Sequence, residues 1–116
     1  MRTLNDYFLT GRIADLSTAG QVYLPCPDGG NVIGVMATLN NAITSADATI
    51  TVKTANGTVG TLTCTQSGSA AGSTFSTDFE PNAAESAVPT AGYIEVETDG
   101  GSSTTCITEV VVIVRR

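Results

Sequence analysis

Five consecutive β-branched aliphatics, Val110 to Val114, dominate the last apolar stretch of this chain, Cys106-Ile-Thr-Glu-Val-Val-Val-Ile-Val114. The run is too short to span a bilayer and has no helical period. Its residues are those that fit a pleated surface. A run apolar on both faces reads as a central strand covered on each side. Just before it, Gly92-Tyr-Ile-Glu-Val-Glu-Thr98 alternates apolar Ile94 and Val96 with Tyr93, Glu95 and Glu97. Asp99-Gly100-Gly101 follows as turn chemistry, so a β-hairpin is predicted from Tyr93 to Val114.

The middle of the chain carries the same period of two. Gln21-Val-Tyr-Leu-Pro25 reads as a short strand, and Pro25 and Pro27 around Cys26 fit an edge or a strand end rather than a ladder centre. Val32 to Leu39 reads as a second central strand, with a bulge or a close backbone approach at Gly34. Asp47 to Thr54 turns Ala48, Ile50 and Val52 inward and Thr49, Thr51 and Lys53 outward. Asn56-Gly57 is a hairpin signal, and Thr58 to Cys64 is the return strand. Val59 has the opposite parity to Leu62 and Cys64, which predicts a bulge near Gly60. Gln66 to Ser73 is a loop of small residues. Thr74 to Phe79 is a strand with Phe75 and Phe79 on one face, and one helical turn fits between Pro81 and Pro89. About seven strands at close spacing predict one all-β domain, a β-sandwich, jelly-roll-like or barrel, over residues 20–116.

Residues 1–19 read differently. Thr3 and Asp6 have capping-box spacing, and Leu4, Tyr7 and Phe8 at i, i+3 and i+4 predict a short helix ending near Gly11. Two helical turns are marginal alone, so that apolar face packs either on its own domain or, as an arm, on a neighbouring subunit. Arg2 and Arg12 flank it. The Arg115-Arg116 tail is expected to be solvated, with an intersubunit salt bridge as the alternative.

Charge narrows the partners. Five basic against eleven acidic side chains give a formal net charge of −6, which leaves no basic stripe for nucleic acid or an anionic membrane surface. Met1-Arg-Thr-Leu-Asn-Asp lacks the apolar core of a signal peptide, so a soluble chain made in the cytoplasm is expected. Cys26, Cys64 and Cys106 are odd in number, and buried thiols are the simplest reading, with a Cys64–Cys106 bridge left open.

Catalytic chemistry finds no foothold. Without histidine there is no Ser-His or Cys-His pair and little basis for zinc. Glu95 and Glu97 share one strand face, as a solvated surface does. Asp28-Gly-Gly-Asn31 and Asp99-Gly-Gly101 lack a full set of calcium ligands, and turn chemistry explains both. No enzymatic activity and no cofactor are expected.

The N-terminal Met1-Arg-Thr-Leu-Asn-Asp-Tyr-Phe-Leu9, the Tyr23-Leu-Pro-Cys-Pro27 segment and the Thr/Ala/Gly-rich body closing on Val110–Val114 together resemble the head decoration, or cement, proteins of tailed bacteriophages. The resemblance implies a β-rich body on the outside of an icosahedral shell. It also implies a homo-oligomer, a trimer favoured, whose partner is the major capsid protein and whose arms staple neighbouring shell subunits. Arg2, Leu4, Tyr7, Phe8 and Arg12 are then the candidate contacts. Two other classes remain: a tail-tube or fibre-associated β domain, and a carbohydrate-binding or adhesin-like module. The last would use exposed aromatics, and Tyr7, Tyr23 and Tyr93 are each expected to pack rather than to be displayed.

Overall fold

The computed structural model describes residues 5–116. Nine strands form two antiparallel sheets: β1 (Asp6–Ile13), β2 (Gly20–Cys26), β3 (Gly30–Leu39), β4 (Ala48–Thr54), β5 (Gly57–Cys64), β6 (Thr74–Asp78), β7 (Ala87–Val88), β8 (Gly92–Thr98) and β9 (Thr108–Arg115). One sheet has the order β1-β9-β3-β6, with β7 paired to the start of β3; the other has the order β2-β8-β4-β5. Successive strands therefore cross between sheets almost every time. Among the described residues, only β4 and β5 are sequence neighbours that pair. This is jelly-roll connectivity, a double sheet in which the first and last strands lie side by side.

β9 is central, between β1 and β3, as expected, but only its inner face is covered by the second sheet, and Val111 on the outer face is half-buried. Val110, Val112 and Val114 face the inner core with Val32, Val35 and Ile94. β4 shows the expected alternation, with Ala48, Ile50 and Val52 at zero exposure. The β4–β5 hairpin forms, but turns through Ala55-Asn56, one residue before the expected Asn56-Gly57, with Gly57 already paired to Thr54. Its register steps so that Val52 faces Gly60 while Lys53 faces Thr58, leaving Val59 as the bulged residue. A second step puts Ile33 in a bulge beside Gly34 on β3. A Cβ on Gly34 would stand 3.1 Å from the Thr77 carbonyl oxygen and 3.3 Å from Asp78 Oδ1, so the glycine lets β6 approach closely there.

Three expectations change. Residues 6–13 form a strand, not a helix: β1 pairs along its whole length with β9, from Asp6 opposite Arg115 to Ile13 opposite Thr108. Its side chains alternate, with Tyr7, Leu9 and Ile13 packed toward the core and Phe8 outward, so the i, i+3, i+4 spacing of Leu4, Tyr7 and Phe8 is fortuitous. With β7, which pairs with β3 through two residues, β1 raises the strand count from about seven to nine. The Tyr93–Val114 hairpin does not form either. β8 pairs with β2 and β4 while β9 lies in the opposite sheet, and residues 99–107 cross between them. Asp99 instead holds that crossing, accepting hydrogen bonds from the Thr49 and Gly101 amides at 3.0 and 2.9 Å. All three cysteines are buried free thiols.

One end of the sandwich is tied together by its loops. The Leu16 amide donates to the Cys106 carbonyl at 2.9 Å, Asn40 to Ile107 at 3.0 Å, and Ser103 to Thr44 at 3.0 Å. Leu16 and Ile43, both in loops, are buried core residues.

Candidate functional site

Strand parity divides the exposed surface into two faces of different chemistry. On the β1-β9-β3-β6 sheet the outward positions form cross-strand rows: Phe8–Ile113–Gly34–Asp78, Thr10–Val111–Met36–Ser76 and Arg12–Glu109–Thr38–Thr74. Phe8 is 56% exposed and Met36 39% exposed, while Ile113 is buried beneath them. An ion pair closes each end of this apolar strip. Arg12 Nη2 meets Glu109 Oε1 at 2.8 Å. Arg115 grips Asp6 through two hydrogen bonds, Nε to Oδ1 at 2.8 Å and Nη2 to Oδ2 at 3.1 Å. An exposed aromatic and a methionine rimmed by arginines match the make-up of protein–protein contact surfaces.

The outward rows of the second sheet are polar. They run Pro25–Tyr93, Tyr23–Glu95–Lys53–Thr58 and Gln21–Glu97–Thr51–Thr61. Lys53 Nζ reaches Glu97 Oε2 at 3.2 Å. Tyr23 and Tyr93 are 55% and 43% exposed, and their rings meet edge to face with centroids 5.6 Å apart. Both were expected to pack. Even spacing would have revealed them, because Tyr23 shares parity with Gln21 and Pro25, and Tyr93 with Glu95 and Glu97, all outward positions.

The residues singled out in the sequence are not brought to one place. Arg2 and Leu4 lie outside the described residues. Phe8 and Arg12 share the outer face of β1. Tyr7 turns inward: its hydroxyl donates to the Gly29 carbonyl at 2.6 Å and lies 3.0 Å from Cys26 Sγ. Burial and the Cys26 contact raise its pKa well above the usual phenol range. The Arg116 guanidinium covers the Tyr7 ring at 5.8 Å and pairs with Asp28 at 3.5 Å. The tail expected to be solvated therefore joins the N-terminal strand to the β2–β3 turn.

Between the unpaired edges of β1 and β2 opens a cleft of about 270 Å³, lined by Arg12, Ile13, Asp15, Gln21, Val22 and Val96. Asp15 does not offer a free carboxylate there. Bonds from the Ser17 hydroxyl and amide, at 2.6 and 2.9 Å, hold its pKa below the usual carboxylate value. Among the described residues, no group of three His, Cys, Asp or Glu side chains is placed to hold a metal ion.

The sequence matches no protein-family model and none of the curated proteins. Similar solved structures include a chain of the cyanophage Pam1 capsid asymmetric unit, at TM-score 0.52 and 16% identity over 96% of this chain and 84% of that one. PRD1 vertex protein P5 is similar at TM-score 0.50 and 16% identity, over 95% of this chain and 96% of that one. Pseudomonas aeruginosa AlgX matches at TM-score 0.50 and 13% identity over 93% of this chain, which spans only 26% of AlgX. At such identities the shared property is the sandwich fold.

Proposed function

We propose that this chain is a structural virion protein that binds the outer surface of a phage capsid and stabilises the shell by bridging neighbouring capsid subunits. The observation that carries the reading is the apolar strip Phe8–Met36–Val111 on the outer face of β1-β9-β3, closed by the Arg12–Glu109 and Asp6–Arg115 pairs. The charges that flank the strip are paired and the exposed Asp78 lies at its margin on β6, so a chain of net charge −6 can bring the strip against a partner without burying an unpaired ion. The shared fold with a Pam1 capsid chain and PRD1 vertex protein P5 supports the same class.

In this reading Phe8 is the anchor and Arg12 the polar rim. Arg2 and Leu4, immediately before β1 in sequence, extend the contact, and Tyr7 serves as an internal fastener rather than a contact. The chain acts as a homo-oligomer, a trimer favoured, on the major capsid protein. It needs no cofactor and catalyses nothing. Modest individual contacts suffice, because once one copy of a trimer is seated the others bind intramolecularly.

The test is co-sedimentation with expanded and unexpanded heads of its cognate shell protein. Saturable binding to expanded heads is expected. Phe8→Asp weakens it about 30-fold, the effect of losing a 2 kcal/mol anchor. Binding unchanged in Phe8→Asp would move the contact off this face. No binding to either head form, with self-assembly into rings or tubes, would overturn the reading in favour of a tail component.

A further inference from the structure

We propose that the outer face of β2-β8-β4-β5 is a glycan-binding platform for a neutral, extended oligosaccharide, with Tyr23 and Tyr93 as the stacking residues. Capsid attachment leaves this site unused, since the two outer faces lie on opposite sides of the sandwich.

Two large rings more than 40% exposed are a hydrophobic liability on a face that otherwise carries Gln21, Lys53, Glu95, Glu97 and threonines. Their edge-to-face contact fixes them relative to one another, so little side-chain freedom is lost when a ligand lands on the open ring. Such a surface suits a ligand with an apolar C–H side and a hydroxyl rim, which describes a pyranose.

The polar neighbours complete the match. Glu95 lies directly opposite Tyr23, and Glu97 directly opposite Gln21. Lys53 is opposite Glu95 and bonded to Glu97, which aims that carboxylate across the sheet. Ionised carboxylates accept from sugar hydroxyls, while Lys53 and the Gln21 amide donate to them. Strands about 4.8 Å apart offer these groups in successive cross-strand rows, which suits an extended chain of rings rather than a single sugar. Charge selects within the class. Two carboxylates against one ammonium leave the face negative, on a chain of net charge −6, so uronic or sialic acids are repelled.

The experiment uses the full chain on an array of neutral and acidic glycans, followed by amide-resolved NMR titration with the strongest neutral binder. Binding to neutral glycans, with shifts centred on β2 and β8 around Tyr23, Tyr93 and Glu95, is expected. Tyr23→Ala or Tyr93→Ala each weakens it about tenfold, at the upper end of one aromatic contact, and Tyr→Phe retains it within about threefold. Both positions are exposed, and a dispersed spectrum verifies the fold of each variant. No saturable binding to any neutral glycan, shifts centred on the β1–β2 cleft, or tighter binding of acidic glycans would each overturn the proposal. Loss of head binding in the tyrosine variants, without any glycan response, would also overturn it and make this face a protein contact. Head binding by the Phe8→Asp variant reports separately on the capsid reading.

Discussion

Leu16→Ala tests whether the N-terminal segment is part of the sandwich. Leu16 sits in the turn between β1 and β2, yet its side chain has no exposed surface and packs in the core. Its amide also holds the Cys106 carbonyl at 2.9 Å, joining the β1–β2 turn to the β8–β9 crossing. Truncation to alanine removes the buried methyl groups and leaves a void that a β-sandwich closes only partly, at a cost of about 2–5 kcal/mol. A domain of this length has a total stability of about 6–17 kcal/mol at the usual value per residue. One substitution in a turn therefore removes a large share of it. At about 4 °C per kcal/mol, the melting temperature falls by about 8–20 °C. Urea unfolding followed by far-ultraviolet circular dichroism is the suitable assay, since the chain has no tryptophan. The midpoint should drop while the slope stays constant, because the surface exposed on unfolding is nearly unchanged. Phe8→Ala, which uncovers only the outer-face partner Ile113, is the comparison and costs no more than about 1 kcal/mol. A loss below about 0.5 kcal/mol for Leu16→Ala would refute the argument and mean that residues 14–19 are a loose tether for an independent arm.

Two further outcomes follow from local geometry. Gly30 has φ +125°, and a Cβ there would stand 2.5 Å from the Arg115 carbonyl oxygen, so Gly30→Ala should cost at least about 3 kcal/mol in urea titration or prevent folding. Burial pushes the Cys64 thiol, ordinarily at 9.0, up to about 11, with Cys106 and Asp99 adding to the shift. The unfolded thiol ionises first, so this stability is fully present below pH 9 and is lost between pH 9 and about 11, at about 1.4 kcal/mol per pH unit. Cys64→Ala should flatten that part of a melting-temperature profile, and a slope unchanged by the substitution would assign it to other groups.

The sheet interior was readable in the sequence because parity carries it. Ala48, Ile50 and Val52, then Ile94 and Val96, lie on the buried side that their alternation assigns, whereas the unbroken Val110–Val114 run marked a central strand without saying which face turns inward. The bulges at Val59 and Ile33 announced themselves through a parity break and a glycine. Pairing was harder to read. Asp99-Gly100-Gly101 looks like a hairpin turn because turn chemistry is local, whereas the choice of partner strand depends on which sheet the chain must close. β1 was hidden by its amphiphilic start: Phe8 is apolar yet faces outward, so Tyr7-Phe8-Leu9 shows no alternation. The two exposed tyrosines were obscured by the assumption that aromatics pack, although the parity of their own strands places them outside.

Closing the sandwich through its first and last strands has a mechanical consequence for the proposed shell attachment. β1 is an edge strand of its sheet, and its partner β9 is fixed at the far end by Asp6–Arg115, by Tyr7 bonded to Gly29, and by Arg116 over the Tyr7 ring. A pull on Phe8 is therefore resisted by the full β1–β9 ladder acting in parallel and by the apolar contacts of Tyr7, Leu9 and Ile13 beneath it. A helical arm of two turns could not bear such a load, because it would be ordered only by what it grips. Placing the proposed anchor on a strand whose neighbour carries the Val110–Val114 run would tie shell binding to the stability of the core. Leu16→Ala should then weaken head binding only near its own unfolding transition, whereas Phe8→Asp should weaken it at every temperature.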